Sequence, residues 1–458
     1  MPTAVPVKKG QEIELAIEDL SHDGQGVGRY QGFTIFVPQA IPGDRVRAEI
    51  ISLQKNYARG LITAVIAPSH IRCKPACGIF SACGGCQLQH LPYQEQLEFK
   101  RRVVVESLAR IGKLQGVTVH PTLGMKDPWH YRNKAQIPLG RKGKEIVAGY
   151  YAPRSHRIIG MPPEGCRIQH PLINKILAEM RRLIAKYRLT TYSEERGTGL
   201  LRHLFVRVGK ETGEAMVVLV INGSQLPKGK AIARELMAAV PQVVSFGISI
   251  NTRQTNLVLG DKFRLLAGKE TITDYIGPFR FEISALSFFQ VNPVQTEVLY
   301  NKAVEYAALT GREEVVDAYC GIGTISLFLA RKAKLVVGIE TVGTAIRDAK
   351  ANARRNGVTN VDFITGDVDR VLPDLWERGF RPDVIVLDPP RKGCAPSALD
   401  TFARIQPDRI VYVSCNPTTL ARDLGYLAQR GYKVQEIQPV DMFPQTAHVE
   451  CVVLMTRV

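Results

Sequence analysis

The chemistry of this chain starts with its nine cysteines. The run Arg409-Ile410-Val411-Tyr412-Val413-Ser414-Cys415-Asn416-Pro417 is a short apolar β-type stretch that delivers one thiol to a turn and stops at proline. Ligands of open α/β sheets bind beyond the carboxyl ends of strands, which makes Cys415 a candidate nucleophile. A lone cysteine is equally well explained by burial in a core, so neighbouring motifs must decide. A second set, Cys73, Cys77, Cys83 and Cys86, is packed densely among glycines. Thiolates spaced this way converge on a metal. Zinc suits two tight C-x2-C pairs and this run offers one; an iron-sulfur cluster fits the spacing better. Cys166, isolated downstream in Pro162-Pro163-Glu164-Gly165-Cys166, is the natural fourth ligand, with Cys73 its competitor.

The elements that would position Cys415 follow a helix expected over 294–310. From Glu314 onward, strands alternate with helices. The first strand leads to Gly321 and Gly323, which let a ligand approach the backbone where a helix opens. The second, Leu335-Val336-Val337-Gly338-Ile339, ends on Glu340, placed like the acidic residue that holds ribose hydroxyls. The third glycine of the dinucleotide fingerprint is missing, which points away from a pyrophosphate cofactor; S-adenosylmethionine has no phosphates to cradle. Asp367 follows the third strand on the adenine side of such a pocket. Asp388-Pro389-Pro390 ends the fourth strand as a rigid rim with one fixed polar group. Residues 432–440 and 448–458 read as an antiparallel pair, with Glu450 beginning the last strand.

The N-terminal segment reads as short strands at 12–18, 32–37, 45–51 and 59–66, with turn chemistry at 23–28 and 42–44. This predicts a small barrel made basic by Lys8, Lys9, Arg29, Arg45, Arg47, Lys55 and Arg59. It resembles the TRAM domain, an RNA-binding β-barrel attached to RNA-modifying enzymes. A helix is expected over 93–112, with Leu97, Val104, Leu108 and Ile111 on one face, Lys100 and the arginines elsewhere, and Gly112 as its stop. An α+β middle region follows, with strands at 215–221, 243–251 and 256–259 and helices at 171–187 and 228–239. Its basic and aromatic stretch, from Trp129 through Arg132, Lys134 and Lys144 to Arg157, suits phosphates and bases.

At 458 residues the chain should hold about three domains. A net charge of +17, from 60 Lys and Arg against 43 Asp and Glu, favours a polyanionic partner. No apolar run approaches the ~20 residues of a membrane helix, and the N-terminus lacks a signal-peptide core, so a cytoplasmic location is expected. That compartment argues against disulfides.

Residues from about 286 to the end resemble the S-adenosylmethionine-dependent RNA uracil-C5 methyltransferases. The resemblance runs through Phe288-Phe289-Gln290-Val291-Asn292, Asp317-Ala318-Tyr319-Cys320-Gly321-Ile322-Gly323-Thr324, Asp388-Pro389-Pro390-Arg391-Lys392-Gly393, Ser414-Cys415-Asn416-Pro417 and His448-Val449-Glu450. The barrel and the cysteine run extend it toward members that modify 23S ribosomal RNA and carry a [4Fe-4S] cluster; the transfer-RNA members are expected to be similar only in the later part. The resemblance implies that Gln290, Tyr319, Gly321, Gly323, Glu340 and Asp388 form the S-adenosylmethionine site, with Asp367 near the adenine. Cys415 would be the nucleophile, Glu450 the base, and Cys77, Cys83, Cys86 and Cys166 the cluster ligands.

The expected architecture is therefore a TRAM-like barrel (1–66), a central α+β RNA-binding domain with an iron-sulfur loop (67–90 and 120–285), a helix packing on the catalytic domain (91–119), and an α/β Rossmann-like class I methyltransferase domain (286–458). The expected product is 5-methyluridine, formed through a covalent Cys-C6 adduct. The alternatives are the same reaction on transfer RNA, a radical RNA methylthiotransferase, whose cysteine spacing differs, N- or O-methylation, which would leave Cys415 idle, and a non-enzymatic RNA-binding redox sensor.

Overall fold

The computed structural model describes residues 5–143, 145–254 and 257–458; Lys144 of the basic stretch and Asn256 of the expected 256–259 strand lie outside the described residues. In β1 (Glu12–Leu20), exposed Glu12 and Glu14 alternate with inward Ile13, Leu15 and Ile17. It closes a barrel with β2 (Gly26–Tyr30), β3 (Phe33–Val37), β4 (Arg45–Leu53) and β5 (Tyr57–Ala67), in the order β1-β2-β3-β5-β4. β2 takes over part of the expected turn at 23–28. A Cβ on Gly26 would lie 2.7 Å from the Ala40 Cβ, and one on Gly28 2.5 Å from the Ala16 carbonyl oxygen. These glycines mark close approach within the barrel.

The cysteine-rich segment 68–92 has turns but neither helix nor strand. α1 (Tyr93–Ser107) follows and ends in a π-type turn at Leu108–Gly112, capped by Lys113 in the left-handed region. Leu97, Val104 and Leu108 point inward, whereas Ile111 is exposed. Lys100, placed by the sequence away from the apolar face, is buried: Nζ meets Asp441 Oδ1 at 2.5 Å and donates to the Phe443 carbonyl at 3.1 Å. Only such a partner offsets the cost of burying a lysine.

After β6 (Thr118–Val119), a seven-stranded sheet forms from β7 (Lys134–Lys142), β8 (Glu145–Tyr151), β9 (Ile158–Gly160), β10 (Leu201–Val208), β11 (Ala215–Ile221), β12 (Val243–Ile250) and β13 (Lys262–Gly268). α2 (Pro171–Lys186) and α3 (Gly229–Ala239) cover one face. Residues 257–259 are not strand; the edge strand begins at Lys262. β10 and β11 are buried at every position. Leu204, Val206, Val217 and Leu219 face the helices, while Phe205, Met216 and Val218 join the core of the C-terminal domain. The hairpin β14 (Ile272–Ile276) and β15 (Phe279–Ile283) packs into that same core.

The C-terminal domain opens with α4 (Pro293–Ala307), which ends short of the expected 310 because Ala308 turns left-handed. β16 (Glu314–Ala318), α5 (Thr324–Ala330), β17 (Leu335–Glu340), α6 (Gly343–Arg355), β18 (Val361–Thr365), α7 (Val368–Glu377), β19 (Val384–Leu387), α8 (Pro396–Ile405), β20 (Arg409–Ser414), α9 (Pro417–Ala428), β21 (Tyr432–Val440) and β22 (Glu450–Arg457) follow. The sheet runs β18-β17-β16-β19-β20-β22-β21-β6. β22 is antiparallel to both its neighbours. Among the described residues, no helix is long and apolar enough to cross a membrane.

Candidate active site

The chain moves outward from β16 to β17 and β18, then returns to β19 and β20 on the other side. At such a reversal the carboxyl ends of neighbouring strands diverge around a crevice. A cleft of about 880 Å³ opens there.

β20 is buried from Ile410 to Ser414 and releases half-buried Cys415 at the crevice. Because β22 runs antiparallel, with Ser414 opposite Cys451, its first residue, Glu450, lies beside Cys415. Glu450 is buried, and burial together with the charge of Asp388 pushes its carboxyl above the ordinary range. Burial likewise raises Asp388. The Cys415 thiol is raised by burial, then by Glu450 and Asp388, against the opposing charge of Arg391. The resting site therefore favours a neutral thiol. Asn416 shapes the turn: its Oδ1 accepts from Thr418 N at 3.1 Å, capping α9, while its Nδ2 donates to the Arg391 carbonyl at 3.0 Å.

Gln290, Tyr319, Gly321, Glu340, Asp367 and Asp388 all line the cleft. Glu340 Oε1 accepts from Val342 N at 2.9 Å and its Oε2 from Gly321 N at 3.3 Å, so the carboxylate braces the glycine turn. Tyr319 holds a φ of +66°, rare for a bulky side chain. Gly323 does not line the cleft. Its φ is +80°, and a Cβ there would lie 2.7 Å from the Phe363 ring, so it serves the packing of α5 against β18.

Cys77, Cys83, Cys86 and Cys166 line a separate cavity of about 240 Å³. Cys73 is not among its walls; its Sγ lies 3.5 Å from the Gln89 carbonyl oxygen. Partial burial pushes Cys86 up to about 12 and Cys166 up to about 11, so these thiols ionise only against strong positive charge. Among the described residues no group of three or more His, Cys, Asp or Glu side chains is arranged to hold a metal ion. The four thiols share the lining of this cavity without forming such a group.

Residues 93–458 match the family model described as tRNA (Uracil-5-)-methyltransferase. The chain belongs to this family. A TRAM domain model matches residues 6–63, and this uracil-5-methyltransferase family member is an S-adenosylmethionine-dependent RNA methyltransferase. It is 50% identical over 450 residues to an RNA methyltransferase of Halalkalibacterium halodurans, covering 98% of each chain. It is 47% identical over 451 residues to one of Caldanaerobacter subterraneus, covering 98% of this chain and 99% of that one. The crystal structure of the Pyrococcus abyssi tRNA (uracil-54, C5)-methyltransferase with S-adenosyl-L-homocysteine superposes with a TM-score of 0.77 at 28% identity, covering 97% of this chain and 99% of that one. A transfer-RNA enzyme thus matches nearly the whole chain, which overturns the expectation that such members are similar only in the later part.

Several cleft residues of this methyltransferase escaped the sequence reading. Arg391 stood inside a quoted motif but acts on Cys415, Glu450 and His448. His448, lowered to about 4 by burial and then by Arg391, Lys100 and Arg132, is neutral near pH 7. Arg132 and Lys134 reach the cleft from the middle sheet; their basic stretch was visible, its destination was not.

Proposed function

We propose that this methyltransferase carries the methyl group of S-adenosylmethionine to C5 of a uridine in 23S ribosomal RNA, with Cys415 as nucleophile and Glu450 as general base. The observation that carries the reading is the antiparallel register of β20 and β22, which sets a thiol and a buried carboxylate side by side in the cleft that Gln290, Glu340, Asp367 and Asp388 also line. Uracil C5 is a weak nucleophile. Addition of the Cys415 thiolate to C6 creates an enolate; C5 then attacks the methyl group, releasing S-adenosylhomocysteine. Glu450 removes the C5 proton, the C5–C6 double bond re-forms and the Cys415–C6 bond breaks. The cationic sulfonium, drawn by the carboxylates of the cleft, lowers the thiol toward ionisation when it binds. Gln290, Tyr319, Gly321, Glu340 and Asp388 would hold the cofactor, with Asp367 at the adenine. A base inside folded RNA must be flipped out to reach this floor, at a cost of a few kcal/mol.

Cys77, Cys83, Cys86 and Cys166 would be the ligands of a [4Fe-4S] cluster, a reading supported by their lining one cavity and by a spacing that has one C-x2-C pair where zinc suits two. When bound, the group would supply a covalent tie between the segment of Cys77–Cys86 and the loop of Cys166. Ligation by all four cysteines would leave no iron open for radical chemistry.

A second reading, the same reaction on transfer RNA, is favoured by the full-length likeness to the Pyrococcus abyssi enzyme. Tritium release from RNA labelled at uridine C5 tests both. Cys415-dependent release from 23S fragments but not transfer RNA supports the first, the reverse supports the second, and methyl transfer without release refutes C5 chemistry.

A further inference from the structure

We propose that Arg132 and Lys134 grip the phosphodiester adjoining the target nucleotide, forming an anion seat on the wall of the catalytic cleft. The inference rests on the uridine-C5 reading and adds the residues that orient its substrate.

Residues 131–136 are extended, and their side chains alternate. Tyr131, Asn133 and Ala135 are buried, while Arg132, Lys134 and Gln136 line the cleft that holds Cys415 and Glu450. Burial first, and then the charges of Arg207 and Arg132, lower the Lys134 ammonium to about 8. Arg207 is buried behind them, its guanidinium donating to the Ser284 carbonyl at 2.7 Å and the Ser287 carbonyl at 2.8 Å. Positive charges gathered on one wall repel one another, and a phosphate on the cleft side would relieve them. Glu340, Asp388 and Glu450 also line this cleft, and the cation acting on Cys415 and Glu450 is Arg391. Arg132 and Lys134 are thus left for the anionic linkage of the RNA while the neutral base goes to Cys415.

The seat is rigid. Asn133 N donates to the Val291 carbonyl at 2.9 Å, and Asn133 Nδ2 to the Gln290 carbonyl at 3.1 Å. Arg132 N donates to the Ile168 carbonyl, and His170 N to the Arg132 carbonyl, both at 2.9 Å. The segment is thereby fastened to the cofactor loop on one side and to the loop following Cys166 on the other. Arg132, Lys134 and Gln136 also line the cysteine cavity, so they form the partition between the two spaces.

The test is a double-mutant cycle on the RNA fragment that wild-type protein methylates. Wild type, Lys134→Gln and Arg132→Gln are each bound to that RNA and to the same RNA carrying an uncharged methylphosphonate beside the target uridine. Each single change should weaken RNA binding about tenfold, as loss of one charge-assisted hydrogen bond does. Protein and RNA changes combined should cost no more than either alone. The slope of log affinity against log salt should fall by about 0.7 per variant. Lys134→Arg should restore affinity, and S-adenosylmethionine affinity should stay as in wild type. Fully additive losses would overturn the proposal, as would weakened cofactor binding with RNA binding intact, which would assign the cations to the cofactor carboxylate. Tritium release by the wild type, measured alongside, reports separately on the C5 reading.

Discussion

Cys415 and Glu450 are paired in an environment that favours the neutral form of each. Burial raises each, and Asp388 adds to both shifts. A Cys415→Ala protein should bind cofactor yet neither release tritium nor trap 5-fluorouridine RNA as a denaturation-resistant adduct; retained trapping would remove the nucleophile assignment. Glu450→Gln should slow tritium release by about 10²–10⁴-fold, the range of general-base catalysis, while the adduct accumulates. The pH dependence has a definite sign. A base must be ionised, and a carboxyl held above its ordinary range is still protonated at mildly acidic pH, so turnover at saturating cofactor should climb as pH rises through neutrality. Asp388→Asn removes one cause of the shift and should move that rising limb to lower pH. An unmoved limb would mean that another group limits the rate.

Between elements, the loop that leads into β22 is fastened by residues far away in the chain. Gln96 Nε2 donates to Gln445 Oε1 and Gln445 N to Gln96 Oε1, each at 3.0 Å, and Tyr93 donates to Asp441 at 3.0 Å beside the buried Lys100 ion pair. This loop carries Phe443 and His448 to the cleft. Lys100→Met should cost about 3–5 kcal/mol in denaturant unfolding, because it strands a buried carboxylate, and adding Asp441→Asn should recover part of the loss. Equal stability of wild type and Lys100→Met would show that the pair contributes little. The cysteine segment joins the same loop, since Gln87 N and Leu88 N both donate to the Gln445 carbonyl at 3.0 Å. On the proposed cluster reading, purified wild type should contain iron by absorption and elemental analysis, Cys166→Ser should lose it and weaken RNA binding, and Cys73→Ser should match wild type. Iron loss in Cys73→Ser alone would exchange the two cysteines as ligands.

Across the whole molecule, the middle sheet shares one core with the helices on its own side and another with the catalytic domain, which holds the basic wall against the reactive floor. The barrel is joined through Leu20 and Ile41, packed with Leu88, Leu91, Phe99 and Val103. With a net charge of +17, RNA affinity should fall steeply with salt, and Lys55→Gln with Arg59→Gln should make that dependence shallower without altering cofactor affinity. A salt response identical to wild type would take the barrel out of the contact surface. The sequence by itself determined the barrel, the order of strands and helices after Glu314, and the thiol, carboxylate and glycine motifs, because local periodicity and strand-end chemistry are written in neighbouring residues. Only tertiary structure decided that Gly26 and Gly28 lie within a strand, that Lys100 is buried, that Gly323 packs beneath the cleft, and that Cys73 stands outside the cysteine cavity. It alone brought Arg132 and Lys134 to the wall of the active cleft. Those outcomes depend on which distant backbone or charge comes into contact, and contacts between remote parts of a chain leave no periodic trace in it.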